Sequence, residues 1–327
     1  MGKKLSIMIP VFNMQQYLDE CLQSLVGQNW EDAVEIIIVD DGSTDDSRKI
    51  CQKYANKYSY ISLYCKSNGG VASARNMALE HASGEYFYWT DPDDYIDDEF
   101  WDKIEPLLKM GYDFIFFDYA ICFSNRNLEC KFGNCDETIN KEKLVRLFSD
   151  GVKMQSHLHT KILKKTWWEG IKFNEKLSLC EDYDVLTKIV PRAEKIFYLN
   201  DILYYYRQRS DSICHNISVY DMTSVYKLVQ ERYEHFCNLG YDVDTLGIRY
   251  VEYNYMRFIN SNLNLCDDTD KYQELYHIMH KRLLGNKQVL LQSNVLSGKE
   301  KIIFYLLAYD MKALFTILKK IWNFLKI

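Results

Sequence analysis

Positive charge is scarce in this sequence of 327 residues, which carries 40 Lys and Arg against 46 Asp and Glu. The formal net charge of -6 argues against a protein that binds phosphate backbones, because such proteins usually cluster basic residues that displace counterions. We therefore expect no nucleic-acid partner. With 47% hydrophobic residues, the chain can bury the core of one large domain and a smaller appendage.

Metal-binding cysteine pairs and a signal peptide are also missing. The 10 cysteines form no C-x-x-C pair, and the cluster of Cys122, Cys130 and Cys135 has no histidines at ligand spacing. Ordinary thiols, reduced in the cytosol, are therefore a better interpretation than a zinc site. The N-terminal apolar run stops at Pro10 without a cleavage site for a signal peptidase. These absences predict a cytoplasmic protein.

No apolar run is long enough to cross a bilayer. Residues 302–325 are dense in Ile, Leu, Phe, Tyr and Trp, but charged residues interrupt them. From residue 299 onwards, six lysines stand against two acidic residues. Such a segment is typical either of an interfacial helix on anionic lipid or of an amphipathic helix packed on protein.

Strand-like and helix-like patterns alternate over the first hundred residues. Apolar runs predict strands, helical spacing predicts helices, and the elements follow one another at 5–11, 14–26, 34–39, 45–58, 61–65, 70–81 and 86–90. Ser43 or Thr44 is expected to cap the second helix. The alternation predicts an α/β fold with a Rossmann-like, mostly parallel sheet flanked by helices. The pattern turns helical from about residue 218, so we predict domains at 1–217 and 218–327.

Polar residues follow three of the predicted strands. They are Asp40-Asp41, Asn68-Gly69-Gly70 and Asp91-Pro92-Asp93-Asp94. Parallel sheets bind ligands at the carboxyl ends of their strands. In an extended segment, Asp91 and Asp93 point to the same side, where they can share one hard cation. A solvated turn is the alternative for this segment, since Pro and Asp are common turn residues.

Four ordered motifs resemble those of family 2 glycosyltransferases with the GT-A fold. They lie at 6–13, 39–45, 68–76 and 90–95. The resemblance covers residues 5 to 100 strongly and 155 to 213 moderately. It implies a nucleotide-binding half at 1–100, an acceptor half at 101–217, and an inverting enzyme. Such an enzyme moves a sugar from a nucleotide-sugar, here a UDP-sugar, to a hydroxyl of a glycan or lipid-linked oligosaccharide in surface polysaccharide, such as capsule.

The resemblance implies a nucleotide site at the first three motifs. Pro10, Phe12 and Asp41 would form the pocket, with Asp41 accepting a hydrogen bond from the base. Asp40 would support that loop. Arg75 would lie near the base or the ribose, and the Asn68-Gly69 turn would let the backbone approach closely.

The acidic motif implies the metal site. Asp93 and Asp91 would bind Mn²⁺ or Mg²⁺, which stabilises charge on the leaving phosphate. Asp94 is expected to cap the next helix. His157, His159 and His215 are candidates for a third ligand, although a lone histidine is more often structural.

The catalytic base is implied further along the chain. A single displacement needs a carboxylate that takes the proton of the acceptor, and Asp182, beside Glu181, matches the family position at the start of a helix. The alternative is that the two acids only favour a helix N-terminus. Arg207 or Arg209 could offset diphosphate charge, and Lys161 is a candidate active-site cation.

Two other functions are rivals to this interpretation. A sugar-phosphate nucleotidylyltransferase would carry a Gly-rich, Arg-containing loop where Pro10-Val11-Phe12-Asn13 stands. A non-catalytic nucleotide- or glycan-binding module stays open as the alternative, although intact Asp91, Asp93 and Asp182 disfavour it. Because lipid-linked acceptors are common among similar proteins, we expect the C-terminal region to lie at the inner face of the cell membrane.

Overall fold

The computed structural model describes residues 2–30, 32–150, 154, 156–177, 179–209 and 219–241, and after these residues 277, 280, 281, 284, 285, 287–292, 296, 298–309, 311 and 317. The chain divides into two compact units. One contains Met1–Phe148 and Gln155–His215, and the other contains Ser149–Met154 and Asn216–Ile327. The predicted boundary after residue 217 falls outside the described residues and stays a prediction.

The first unit is built from alternating strands and helices. Its strands are β1 (Leu5–Val11), β2 (Val34–Asp40), β3 (Ile61–Cys65), β4 (Tyr86–Trp89), β5 (Tyr95–Ile96), β6 (Phe114–Cys122), β7 (Asn127–Cys130), β8 (Glu137–Ile139), β9 (Lys161–Lys164) and β10 (Ile196–Arg207). Its helices are α1 (Leu18–Val26), α2 (Ser47–Lys57), α3 (Val71–His81), α4 (Phe100–Lys109), α5 (Lys141–Asp150) and α6 (Glu181–Ile189).

These strands form one sheet with the order β3-β2-β1-β4-β9-β6-β10-β5. The first four strands of this order are parallel. Strand β9 runs antiparallel to β4 and β6, and β6 and β10 are parallel to each other. The predicted α/β class is confirmed. The parallel pairing is concentrated in β1 to β4, and the second half of the sheet adds antiparallel strands.

Burial on both faces explains the apolar runs of the central strands. All seven residues of β1 are buried, which is why its sequence reads as a continuous apolar run rather than an alternating one. Helix α1 buries Leu18, Leu22 and Leu25, which its periodicity places on one face. Because β1 to β4 are parallel, the loops after them meet at one edge of the sheet.

Two helices begin later than predicted. Helix α1 begins at Leu18 rather than at residue 14, and α2 begins at Ser47 rather than at residue 45. The expected cap on α2 is wrong, since the Ser43 hydroxyl instead accepts a hydrogen bond from the backbone N–H of Asn13 at 3.0 Å. The Asp45 carboxylate accepts one from Gln15 N, in the loop before α1, at 3.1 Å. These side chains bind loop backbone, so the first turns do not become helical.

The second unit is helical where the structure describes it. It contains α7 (Val219–Asn238), α8 (Lys287–Gln292) and α9 (Gly298–Ala308). Helix α9 buries Phe304 and Leu307 and exposes Ile302 and Tyr305. None of the helices built from described residues is both long and apolar enough to cross a membrane. Most of the predicted interfacial segment 302–325 lies outside these residues.

Gly42 and Gly70 lie in loops at the edge where the loops after β1 to β4 meet. We expect these two glycines to differ in how well they tolerate a side chain. Gly42 and Gly70 have φ angles of +76° and +87°, but a Cβ on Gly42 would lie 2.7 Å from Asn68 N, whereas a Cβ on Gly70 would meet open space. Gly42→Ala should therefore lower the free energy of unfolding by about 3 kcal/mol, and Gly70→Ala by about 1 kcal/mol. Urea denaturation measures both values, and equal losses would contradict the predicted backbone clash.

Candidate active site

Asp40, the last residue of β2, is fully buried. Its carboxylate accepts hydrogen bonds from Arg48 Nε at 2.7 Å and from Ser43 N at 3.2 Å. These contacts hold the loop after β2, which the family resemblance implies that Asp40 supports. The buried charge of Asp40 is compensated by the guanidinium and the backbone donor.

The Asp41 carboxylate binds the turn before α3. It accepts hydrogen bonds from Gly69 N at 3.0 Å, Gly70 N at 2.8 Å and Lys66 Nζ at 2.7 Å. Only 2% of Asp41 is exposed, so its oxygen atoms are largely satisfied within the protein. Lys66 was missed by sequence reasoning, although its position directly after β3 could have indicated it. The expected bond from Asp41 to a base stays a prediction.

The other residues of the predicted nucleotide site lie at the same edge. Pro10 is buried in β1, whereas Phe12 is 41% exposed and Asn68 is exposed. Asn13 adopts a φ of 53°, and its Oδ1 accepts a hydrogen bond from Thr44 N at 2.8 Å. Asparagine tolerates this left-handed conformation better than most residues. An asparagine directly after β1 could therefore have indicated a tight turn at this edge.

Asp91 is the carboxylate of the acidic loop that faces the interior of the site. Its Oδ1 lies 3.3 Å from Arg75 Nη2, and its Oδ2 lies 3.4 Å from His159 Nδ1. Burial alone would raise the pKa of Asp91, but the contacts with His159 and Arg75 outweigh burial and hold that pKa below its usual range. Asp91 is therefore ionised at neutral pH.

Asp93 and Asp94 turn towards β10 and the residues after it. Asp93 Oδ2 lies 2.8 Å from Arg209 Nε. Asp94 accepts hydrogen bonds from the Tyr204 hydroxyl at 2.6 Å and from Arg207 N at 2.8 Å. The expectation that Asp94 caps the next helix is wrong: α4 begins at residue 100 without a side-chain cap, and β10 supplies the donors instead.

Asp91, Asp94 and His159 have ligand atoms close enough for one cation. The three atoms lie within 4.8 Å of one another. Carboxylate oxygen and imidazole nitrogen suit Mn²⁺. Burial lowers the pKa of His159 despite the opposing effect of Asp91, which favours the neutral imidazole that metals bind. These residues fit a divalent cation, whereas the predicted ligand Asp93 pairs with Arg209.

The two other candidate histidines have different outcomes. The His157 ring lies 4.7 Å from the His159 ring, and its carbonyl accepts a hydrogen bond from Lys161 Nζ at 2.7 Å. His215 lies outside the described residues. His159 also stacks on Tyr204, with ring centroids 4.1 Å apart and an interplanar angle of 5°.

Arg75 joins the acidic loop to the predicted base. Its guanidinium pairs with Asp91 and with Glu181, and it lies near the rings of Trp89 and Phe173, 5.8 and 5.5 Å from their centroids. Only 7% of Arg75 is exposed. Its partners in the structure are thus two carboxylates, and the expected position of Arg75 near a base or ribose stays a prediction.

Asp182 lies in the first turn of α6, which follows Cys180 in a left-handed conformation. Its Oδ1 accepts a hydrogen bond from Tyr183 N at 2.7 Å. Burial and the neighbouring Glu181 charge raise the pKa of Asp182 to about 7, against the opposing effects of Arg75 and Lys161. A carboxylate that titrates near neutral pH can both accept and release a proton there.

Lys161 is fully buried at the start of β9. Its ammonium donates to the Thr160 hydroxyl at 2.9 Å, in addition to the His157 carbonyl. Burial lowers the pKa of Lys161 to about 7, although Asp182 raises it. Lys161 therefore lies near the predicted base Asp182, and its ammonium is only partly protonated at neutral pH.

Arg207 and Arg209 lie beside the acidic loop. Arg207 donates to the Asp93 carbonyl at 2.9 Å and to Glu20 at 2.7 Å. Both guanidinium groups lie near the Tyr17 ring, at 5.2 and 5.1 Å from its centroid. The structure thus brings both arginines to the predicted diphosphate region, where their partners are acidic side chains and backbone.

The chain has relatives among glycosyltransferases. Residues 6–157 match the family model described as "Glycosyl transferase family 2". The chain is 28% identical over 306 residues to "Glycosyltransferase GlyA" of Streptococcus pneumoniae serotype 4, covering 86% of this chain and 41% of that protein. It is 29% identical over 215 residues to "Minor teichoic acid biosynthesis protein GgaB" of Bacillus subtilis, covering 63% of this chain and 23% of that protein. It therefore spans less than half the length of these curated relatives.

A solved structure shares the fold. Residues 1–349 of S. aureus TarS, in complex with UDP-GlcNAc, superpose with a TM-score of 0.63 at 21% identity. The superposition covers 98% of this chain and 91% of that chain. The GT-A fold predicted from the sequence is confirmed, and the family resemblance is confirmed by the match to the family model.

We expect the buried ammonium of Lys161 to make stability depend on pH. Between about pH 7 and pH 10 the unfolded chain holds this proton and the folded chain does not, so stability rises with pH. The variant Lys161→Met lacks this dependence. Its stability advantage over the wild type should shrink by roughly 1 kcal/mol per pH unit from pH 7.5 to 9.5.

Urea denaturation across this pH range measures the difference. Lys165→Met is the matched control, because Lys165 is exposed on the turn after β9. This control should show no comparable change with pH. A pH-independent difference for Lys161→Met would mean that Lys161 stays protonated in the folded protein.

Proposed function

We propose that this chain, whose residues 6–157 match the model of glycosyl transferase family 2, transfers a sugar from a nucleotide-sugar to a hydroxyl of a glycan or lipid-linked oligosaccharide, with inversion. One observation carries the proposal. Arg75 joins a carboxylate of a cation-compatible cluster, Asp91, to the neighbour of a carboxylate that titrates near pH 7, Asp182. A sugar transferase needs these two functions side by side.

The donor side uses the loops at the carboxyl edge of the sheet. A divalent cation, Mn²⁺ or Mg²⁺, would supply charge neutralisation on the diphosphate as the bond to the sugar breaks. Asp91 would hold the cation, together with Asp93 or with Asp94 and His159. Arg207 adds positive charge near the diphosphate. The TarS complex with UDP-GlcNAc supports a UDP-sugar as the donor.

The acceptor side uses Asp182 as the base. Asp182 takes the proton of the acceptor hydroxyl, whose oxygen attacks the anomeric carbon from the face opposite the diphosphate. The new glycosidic bond forms while the bond to the diphosphate oxygen breaks, and the nucleoside diphosphate leaves. A single displacement of this kind inverts the anomeric configuration.

The biological setting we propose is the synthesis of a surface polysaccharide or glycoconjugate. The relative GgaB, whose name refers to minor teichoic acid biosynthesis, supports a polymer of this type. The exposed Ile302 and Tyr305 of α9 and the lysines after residue 298 support peripheral contact with the inner face of the cell membrane.

Nucleotide titration tests the donor side. Isothermal titration with UDP, GDP and CDP, each with and without Mn²⁺, should give Mn²⁺-dependent binding of UDP. Asp91→Asn should abolish the metal dependence, because Asp91 belongs to both candidate ligand sets. His159→Gln should weaken metal-dependent binding by roughly ten- to hundredfold. An equal loss in Asp93→Asn would add Asp93 to the ligands.

Failure of the folded wild type to bind any of the three nucleotides would contradict the proposed activity. It would favour a non-catalytic module that keeps the fold. Circular dichroism of each variant, recorded beside the wild type, separates lost binding from lost folding.

Asp182→Asn tests the base. This variant should bind UDP and Mn²⁺ like the wild type but lose roughly 10²- to 10⁴-fold in transfer rate. Because the pKa of Asp182 is raised to about 7, the wild-type rate should fall as pH drops below 7, where the carboxylate becomes protonated. Initial rates with a UDP-sugar and a glycan acceptor, measured from pH 5 to 9, check both expectations.

Asp184→Asn is the matched control for this experiment. Asp184 lies on the same helix turn and pairs with Lys188 at 2.7 Å, away from Arg75 and Lys161. Its substitution should leave the rate and the pH profile unchanged. Normal turnover by Asp182→Asn would mean that another residue is the base.

A further inference from the structure

The buried guanidinium of Arg75 pairs with carboxylates from two distant parts of the chain. Asp91 follows β4, and Glu181 opens α6, 106 residues after Arg75. The Arg75–Glu181 pair is largely shielded from water, since these side chains are only 8% and 11% exposed, whereas the Asp91 side chain is 30% exposed. A shielded ion pair is difficult to break without leaving an uncompensated charge.

Asn76, the next residue of α3, holds the same segment. Its side-chain amide donates to the Phe173 carbonyl at 3.0 Å, and its Oδ1 accepts from Phe173 N at 2.8 Å. It also donates to Glu175 at 2.9 Å. Two consecutive residues of α3 therefore bind Phe173, Glu175 and Glu181, the last of which directly precedes Asp182.

We propose that Arg75 is a positioning residue: by pairing with Glu181 and Asp91 it places the proposed base Asp182 and balances the charge around it. This inference rests on the proposed function, because it assigns Arg75 and Glu181 to the service of the base. Glu181 is then an anchor rather than a second base. No contact between Arg75 and a substrate is needed.

Three charged groups face Asp182. Glu181 is its neighbour on α6, Arg75 belongs to α3, and Lys161 belongs to β9. The charge of Glu181 opposes ionisation of Asp182, and the charges of Arg75 and Lys161 favour it. The two members of the Arg75–Glu181 pair thus act on Asp182 in opposite directions, although they support the same local structure.

The opposite effects of Glu181 and Arg75 on the ionisation of Asp182 distinguish positioning and charge balance from a merely structural role. Removing the charge of Glu181 should make Asp182 easier to ionise, so activity should persist to lower pH. Removing the charge of Arg75 should make it harder to ionise, so activity should require higher pH. A purely structural ion pair would lose activity in both variants without moving the pH dependence in opposite directions.

The test is the pH dependence of kcat and KM for the full chain, with a UDP-sugar, Mn²⁺ and a glycan acceptor. In Glu181→Gln the acid limb of the kcat profile should move down by about one pH unit, and in Arg75→Gln it should move up by about one. Arg75→Lys keeps the positive charge but cannot pair with Asp91 and Glu181 in the same geometry. The acid limb of its kcat profile should therefore stay near that of the wild type, while kcat itself falls. KM for the donor should change less than kcat.

Every result of this experiment either supports or overturns the role of Arg75. Limbs that move in the same direction, or do not move, would overturn the inference. If Arg75→Gln does not fold, Glu181→Gln and Arg75→Lys carry the test, and an unchanged limb in Glu181→Gln would overturn it.

Failure of the proposed function is recognised separately. Full activity of Asp182→Asn would remove the base and with it the role given to Arg75. An inactive Asp182→Asn combined with unmoved limbs would overturn the role of Arg75 alone.

Discussion

The arrangement of this site depends on a buried guanidinium between carboxylates. Acidic side chains from the β4 loop and from α6 converge at the carboxyl edge of the sheet, where burial and mutual repulsion oppose their ionisation. Arg75 compensates two of them at once, and its planar group allows separate pairs on two nitrogen atoms. Arg75 thus places a positive charge between the partly buried Asp91 and the buried Glu181. This pairing therefore connects the loop after β4 to the start of α6.

Strand β10 provides the second connection between the halves of the first unit. Tyr204 and the backbone of Arg207 bind Asp94, while the Arg207 side chain reaches the Asp93 carbonyl and Glu20. The acidic loop is thus held by residues more than one hundred positions later in the chain. The Tyr204 ring also stacks on His159, so one strand orders both the carboxylates and the imidazole of the cation-compatible cluster.

Local pattern and distant contacts account for what could and could not be predicted. The strands β1 to β4 follow from apolar runs, because burial on both faces leaves a simple signal in the sequence. Periodicity places the starts of α1 and α2 too early, because Ser43 and Asp45 bind loop backbone at Asn13 and Gln15, a competition that periodicity does not reveal. The sequence motifs indicate Asp91, Asp93, Asp94, Arg75 and Asp182 as candidate site residues. Their partners came only from the fold: Glu181 lies 106 residues from Arg75, and Tyr204 lies 110 residues from Asp94.

Helix α3 takes part in both sides of the site. Its preceding residue Gly70 donates to Asp41 at the nucleotide edge, while Arg75 and Asn76 hold the segment that leads to Asp182. A donor half and an acceptor half that share one helix are not independent modules. Recombination between relatives, in nature or in the laboratory, would therefore have to exchange residues 173–182 together with the face of α3 that holds them. A chimera joined near residue 100 would combine an arginine with a carboxylate partner that had diverged separately, and the ion pair between them would form poorly.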